Sequence, residues 1–250
     1  MRIISLVPSI TETLFDFGLT TDEVIGRTKF CIHPSDLVRN VEVIGGTKNV
    51  NIDKIKSLKP DLIIANKEEN EKLQVEELMK DFKVYTTDIK TLEDNQNFIS
   101  ELGILLNKED LSQDFNQKIA SIFSTTPTIY KPSKVAYLIW KNPYMTIGSD
   151  TFINEVLEKL GFENLFRNTK RYPEVSVEKL KDADFIFLSS EPFPFQQKHR
   201  DELQKELPNQ KIILVDGEAF SWFGTHLMKV DDYLNYSRII EDRKTGEEYG

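Results

Sequence analysis

Four side chains of this 250-residue sequence could meet a metal through a thiol or an imidazole: Cys31, His33, His199 and His226. Cys31-Ile32-His33 can present a thiol and an imidazole together, and His226 ends a second irregular stretch, Asp216 to His226. A metal site proper needs three or four ligands with a supporting shell, which this spacing does not supply. A metal already held in a chelate needs only one more donor, so His33 and His226 are the candidate metal ligands. The plainer reading stays open: a hydrogen-bonding histidine at a cleft edge and a small buried thiol. His199, between Lys198 and Arg200, reads as a residue of a solvated helix. A Gly-rich phosphate loop, a His-Glu-x-x-His pair and a nucleophile elbow are all missing from the sequence. Cys31 with a distant histidine is thin support for a nucleophile, so the expectation is a protein that is not an enzyme.

The elements that must position these residues alternate between strand and helix. Ile3–Val7 reads as a buried strand, followed by Ser9-Ile10-Thr11-Glu12, which has the form of a capping box. Val24-Ile25 begins a strand that runs into the irregular segment 27–34, which carries Phe30, Cys31 and His33. Asn51 caps a helix through Leu58, and Leu62-Ile63-Ile64-Ala65 is a continuous apolar strand whose carboxyl end opens a polar loop at Asn66. Apolar residues at helical spacing, Phe98, Leu102, Leu105 and Leu106, then Leu111, Phe115, Ile119 and Ile122, predict helices over 94–106 and 109–124, with a break at Asn107–Asp110. Beyond them come a strand over Val135–Trp140, a helix from Thr151 to Leu160 with Asp150 as its cap, and a strand over Phe185–Leu188. Then follow a loop from Glu191 to Phe195 with two prolines and two phenylalanines, a strand over Ile212–Val215, a closing helix over 227–240 and a charged tail.

The two sides of the long helices resemble each other. Asn51 to Ile64 is echoed by Ser176 to Phe187, each a capped short helix, a turn and a hydrophobic strand, and Ser9 to Leu14 is answered by Thr151 to Leu157. Two copies of one unit predict an α/β protein of two Rossmann-like lobes with parallel sheets, joined by one long backbone helix, with a ligand cleft between the lobes. The expected division is an N-terminal lobe over 1–106, a connecting helix over 107–126 and a C-terminal lobe over 127–250 that includes the closing helix and tail.

Net charge is −9 and spread along the chain, which argues against a nucleic-acid partner. A single cysteine excludes an internal disulfide. The longest apolar runs fall far short of the roughly 20 residues of a membrane span. Met1-Arg2 leads directly into a short strand, with no export signal and no lipid-anchor cysteine, so the location expected from the sequence is cytoplasmic. Removal of a leader would make it periplasmic or cell-surface. A monomer is expected.

At this point the chain resembles a family. Ile3-Ser5-Leu6-Pro8-Ser9-Thr11-Glu12, Leu58-Lys59-Pro60-Asp61-Leu62-Ile63, Gly148, Thr151-Phe152, Tyr172-Pro173-Glu174-Val175-Ser176 and the Asp216 to Phe223 loop fall in the order found in one group of proteins. These are the iron-chelate and vitamin B12 substrate-binding proteins of ABC importers, the class with a helical backbone between lobes. The resemblance implies a non-enzymatic receptor for a corrinoid or, second, a ferric chelate, without a catalytic cofactor and with an ABC permease as partner. It implies ligand contact by Trp222 and Phe223, whose loop matches one where relatives place an aromatic residue, and by Tyr144, Met145 and Tyr172. Flat aromatic walls suit a corrin face. With the segments read above, the expected ligand-binding set is Trp222, Phe223, Tyr172, Tyr144, Met145, Phe30, Cys31, His33, Asn66 and His226. The relatives offer a surface glutamate from each lobe to their permease. Here one falls at Glu71 or Lys72, and the other at Gly224, where there is no acid. A cytoplasmic corrinoid carrier and a two-lobed chelatase are the alternative expectations. An anionic siderophore would need several convergent cations, drawn from Arg27, Lys29, Lys67, Lys141, Lys170 and Arg171.

Overall fold

The structure is a computed structural model that describes residues 1–124 and 132–229. The chain divides into two compact units, one formed by 1–89, 93–118 and 222–229, the other by 90–92 and 119–221.

The first unit opens with β1 (Ile3–Ser5), α1 (Pro8–Asp16), β2 (Val24–Arg27), α2 (Ser35–Val38) and β3 (Glu42–Val43). A two-strand hairpin follows, β4 (Gly45–Gly46) and β5 (Asn49–Val50), then α3 (Ile52–Leu58), β6 (Leu62–Asn66), α4 (Lys72–Leu78) and β7 (Val84–Thr87). The main sheet is parallel in the order β3-β2-β1-β6-β7. Strands 1 and 6 are buried along their whole length, as expected for strands covered on both faces. Ile4, Leu6, Ile44, Ile55, Ile63 and Leu78 pack as one core. Asn51 caps α3 as its sequence predicts, its Oδ1 accepting from the Lys54 N–H at 2.9 Å. Asn51→Ala is expected to lower stability by about 1 kcal/mol, the usual worth of such a cap, measurable by urea denaturation.

Next in the sequence come α5 (Leu92–Leu106) and α6 (Glu109–Ser124). The predicted break is real: Asn107 has φ 54° and Lys108 N–H donates back to the Gly103 carbonyl at 2.7 Å. Gly103 is required here, since a Cβ at that position would run into the Ser112 side chain on α6. The division between the two units falls within α6, after Lys118.

The second unit contains β8 (Ser133–Trp140), β9 (Met145–Thr146), α7 (Phe152–Lys159), β10 (Phe162–Asn164), α8 (Val177–Leu180), β11 (Phe185–Ser189), α9 (Gln197–Glu206), β12 (Lys211–Val215) and α10 (Gly217–Ser221). Its sheet is parallel in the order β10-β8-β11-β12, with β9 antiparallel to β8. Strands 6 and 11 thus hold equivalent places, each beside the first strand of its own sheet, as the sequence duplication predicts. The fold is α/β with two lobes and parallel sheets.

Some local expectations are corrected. Thr151, not Asp150, caps α7, its hydroxyl accepting from Asn154 N–H, while Asp150 accepts from the Arg171 N–H. The stretch after Asp216 is helical rather than a long loop, as α10 followed by a 3-10 helix over Gly224–Met228. From residue 230 onward, the closing helix expected over 227–240 and the charged tail lie outside the described residues, as do 125–126 of the expected connecting helix.

Candidate ligand-binding surface

Helix 1 begins one residue earlier than a capping box allows. Pro8 takes the first helical position, Val7 is the N-cap without a side-chain bond, and Ser9 to Phe15 are buried all round the helix. Glu12 is therefore free to do something else. Its carboxylate is buried and meets two partners: His226 Nδ1 lies 2.7 Å from Oε2, and Lys229 Nζ donates to Oε1 at 2.9 Å. Lys229 also donates to Asp16 Oδ1 at 2.9 Å, and the Thr225 hydroxyl donates to Asp16 Oδ2. Burial pushes the Glu12 carboxyl up, but the hydrogen bonds and charges of His226 and Lys229 outweigh it and hold the group below its ordinary value. Burial likewise pushes Lys229 down, and its bonds to Asp16 and Glu12 reverse the sign, so its ammonium is stabilised.

Backbone bonds complete the seam. Gly224 N–H donates to Asn95 Oδ1, and Thr225 N–H donates to Thr13 Oγ1 at 3.1 Å. Gly224 has φ 82°, and a Cβ there would collide with the Thr13 hydroxyl. These bonds build the Trp222–Lys229 segment into the first unit. His226, expected in a loop of the C-terminal lobe, is thus a residue of the first unit. This network was not foreseen. Its one local signal is a glutamate inside an otherwise buried helical stripe, and the partners that explain it lie more than 200 residues away.

The aromatic pair of this segment is also placed differently from expectation. Trp222 is only 7% exposed, its indole edge-on to His33 at 5.6 Å and tilted against His226 at 5.0 Å. Phe223 is 5% exposed and packs on Phe98 at 5.8 Å. Neither ring is an open wall. Cys31 is fully buried, its sulfur accepting from the Thr11 hydroxyl at 3.0 Å and lying 3.2 Å from Thr28 Oγ1. Burial pushes that thiol up, which favours its protonated form. Asn66 is buried and structural: its Oδ1 accepts from Glu68 and Glu69 N–H, its Nδ2 donates to Thr87 Oγ1, and its own N–H donates to Asn70.

An open apolar surface of the first unit lies in the segment after β2. Phe30 is 50% and Ile32 49% exposed, with His33 partly exposed beside them and the Lys29 ammonium 5.0 Å from the Phe30 ring. This is the carboxyl end of a parallel sheet, where α/β proteins bind ligands. In the second unit Tyr144 is half-buried against the core with Phe193 and Val175, and burial pushes its phenol up, keeping it neutral. Met145 pairs with Trp140 across β8 and β9, and Tyr172 lies under the Arg171 guanidinium at 5.7 Å. Glu71 is exposed just before α4. Among the described residues no three of His, Cys, Asp and Glu gather as a metal site, and none of the helices is long and apolar enough to cross a membrane.

Several of the candidate cations are already engaged. Arg27 donates to the Val38 and Thr28 carbonyls at 2.7 and 3.1 Å, Lys67 pairs with Asp88 at 2.8 Å, and Lys141 pairs with Glu202.

Comparison with known proteins agrees with this architecture. The vitamin B12-binding protein of Vibrio vulnificus is 29% identical over 196 residues, covering 75% of this chain and 71% of that protein. The crystal structure of periplasmic vitamin B12 binding protein BtuF of Vibrio cholerae superimposes with a TM-score of 0.78 at 23% identity, covering 96% of this chain and 97% of that one. Periplasmic heme binding protein HutB of Vibrio cholerae gives 0.75 at 18% identity, covering 98% of each chain. These matches overturn the cytoplasmic location read from the first residues and point outside the cytoplasm. The family is one of binding proteins, which removes the chelatase alternative. Its profile, described as periplasmic binding protein, matches residues 3–211. The chain belongs to the periplasmic binding protein family.

Proposed function

We propose that this protein is the solute receptor of an ABC-type importer and that its solute is a flat metal macrocycle, a corrinoid or haem. The observation that carries this reading is the open apolar surface of Phe30 and Ile32, beside His33 at the carboxyl end of β2. Aromatic and aliphatic surface suits the face of a macrocycle. A trianionic ferric tris-catecholate would call for several convergent cations, yet three of the six candidates, Arg27, Lys67 and Lys141, are tied to carbonyls or carboxylates, and Lys29 already lies over the Phe30 ring. The relatives that bind vitamin B12 or haem support the same class. Exposed Glu71 is the position at which the first unit would meet a permease.

Absorption titrations with cyanocobalamin, hemin and a ferric tris-catecholate test the reading. One macrocycle is expected to bind at least about 100-fold more tightly than the catecholate, a difference of about 2.7 kcal/mol. Tighter binding of the catecholate, or no binding of either macrocycle, would overturn it.

A further inference from the structure

The second sheet has its own topological switch point. The chain leaves β8 for β10 on one side, and later places β11 on the other, so the carboxyl ends of β8 and β11 flank the position where strand order reverses. Crevices at such points are where open α/β sheets take ligands. Trp140 is the last residue of β8. It is 41% exposed, although Leu138 and Ile139 before it are buried.

Its exposed ring is well supported. Phe193, in the loop after β11, meets Trp140 edge-on at 5.7 Å, and its N–H donates to the Ile139 carbonyl at 3.2 Å, tying the loop to the end of β8. Behind Phe193, Phe195 packs at 4.8 Å and His199 at 5.2 Å. The His199 Nδ1 accepts from the Gln196 N–H at 3.0 Å, which closes the start of α9. Next to Trp140, Lys141 is held by Glu202, so the nearest cation is not offered to an anionic ligand. A large indole left open at a switch point, backed by a stack that restrains it, is a ready-made platform for a flat apolar face.

We infer that Trp140, backed by Phe193, is a ligand-contact residue that selects a planar macrocycle; this rests on the solute class proposed above. The residue was not among those expected to touch ligand. It stands at the end of a strand whose preceding residues, Val135 to Ile139, are all buried.

The test is an absorption titration of wild type, Trp140→Ala and Trp140→Phe with cyanocobalamin and with hemin, alongside thermal melting of each ligand-free protein. For whichever macrocycle wild type binds, Trp140→Ala is expected to weaken affinity at least about 10-fold, while Trp140→Phe, which keeps a ring face, stays within about 3-fold. Melting temperatures should fall by no more than about 2–4 °C, the shift expected for about 1 kcal/mol, since the side chain is partly exposed and packs on Phe193. If wild type binds and Trp140→Ala binds equally well, the platform is refuted and the solute class stands. An affinity loss shared in full by Trp140→Phe, with melting lowered beyond that range, also refutes it by showing a packing role. If wild type binds neither macrocycle, the solute class falls and the platform falls with it.

Discussion

Trp222→Ala should cost the ligand-free protein roughly 3–5 kcal/mol, the usual price of removing a large core aromatic. The indole fills the space between the His33 and His226 rings and is nearly sealed from solvent. Its removal leaves a hole bordered by two imidazoles and loosens the seam that holds Gly224 to Lys229 against α1. At about 2–4 °C per kcal/mol for a chain of this size, the first thermal transition should fall by on the order of 10 °C. Trp222→Phe should restore part of the loss. The sequence alone suggests the opposite, an open aromatic wall whose loss spares stability. An unchanged melting curve combined with lost affinity for a macrocycle would return the indole to the ligand.

Loss of Glu12 should be nearly as severe. Removing one member of a buried ionic cluster leaves its partners without compensation, which typically costs 3–5 kcal/mol. Lys229 is partly exposed and can regain water, so Glu12→Ala is placed at about 3 kcal/mol. The pH dependence carries a sign. The folded-state value of Glu12 lies below its ordinary 4.5, so on acidification the unfolded chain takes up this proton first. Its contribution is fully present above pH 4.5 and is lost as pH falls below that through the depressed value. Urea denaturation between pH 3 and 7 should show a steeper acid limb for wild type than for Glu12→Ala. Parallel limbs would mean that the carboxylate contributes nothing through its ionisation.

The limits of legibility follow from range. Leu62–Ala65 and Phe185–Leu188 are apolar without interruption, so their burial within parallel sheets is written locally. Asn51 and the Asn107 break act within four residues of themselves, and both are where the sequence puts them. Ser9-Ile10-Thr11-Glu12 satisfies the capping pattern equally well, yet Pro8 starts the helix sooner and Glu12 finds partners at His226 and Lys229. No local pattern announces such a partner. The same holds for exposure at the candidate surface. Trp222, Phe223 and Cys31 carry the residue types expected of a site, but tertiary neighbours close over them, while Phe30 and Trp140 stay open. Chemistry was readable from residue type, and accessibility was not.

The stitching of Trp222–Lys229 onto α1 also governs when the first unit can finish folding. Thr13 waits for Thr225 across 212 positions, and Glu12 waits for Lys229 across 217. Pairing them closes loops of more than 200 residues, contacts that chain entropy places late in folding wherever the protein folds. Until they close, Glu12 on α1 lacks both His226 and Lys229. The amino-terminal unit is made first, yet it is among the last parts of the protein to become whole.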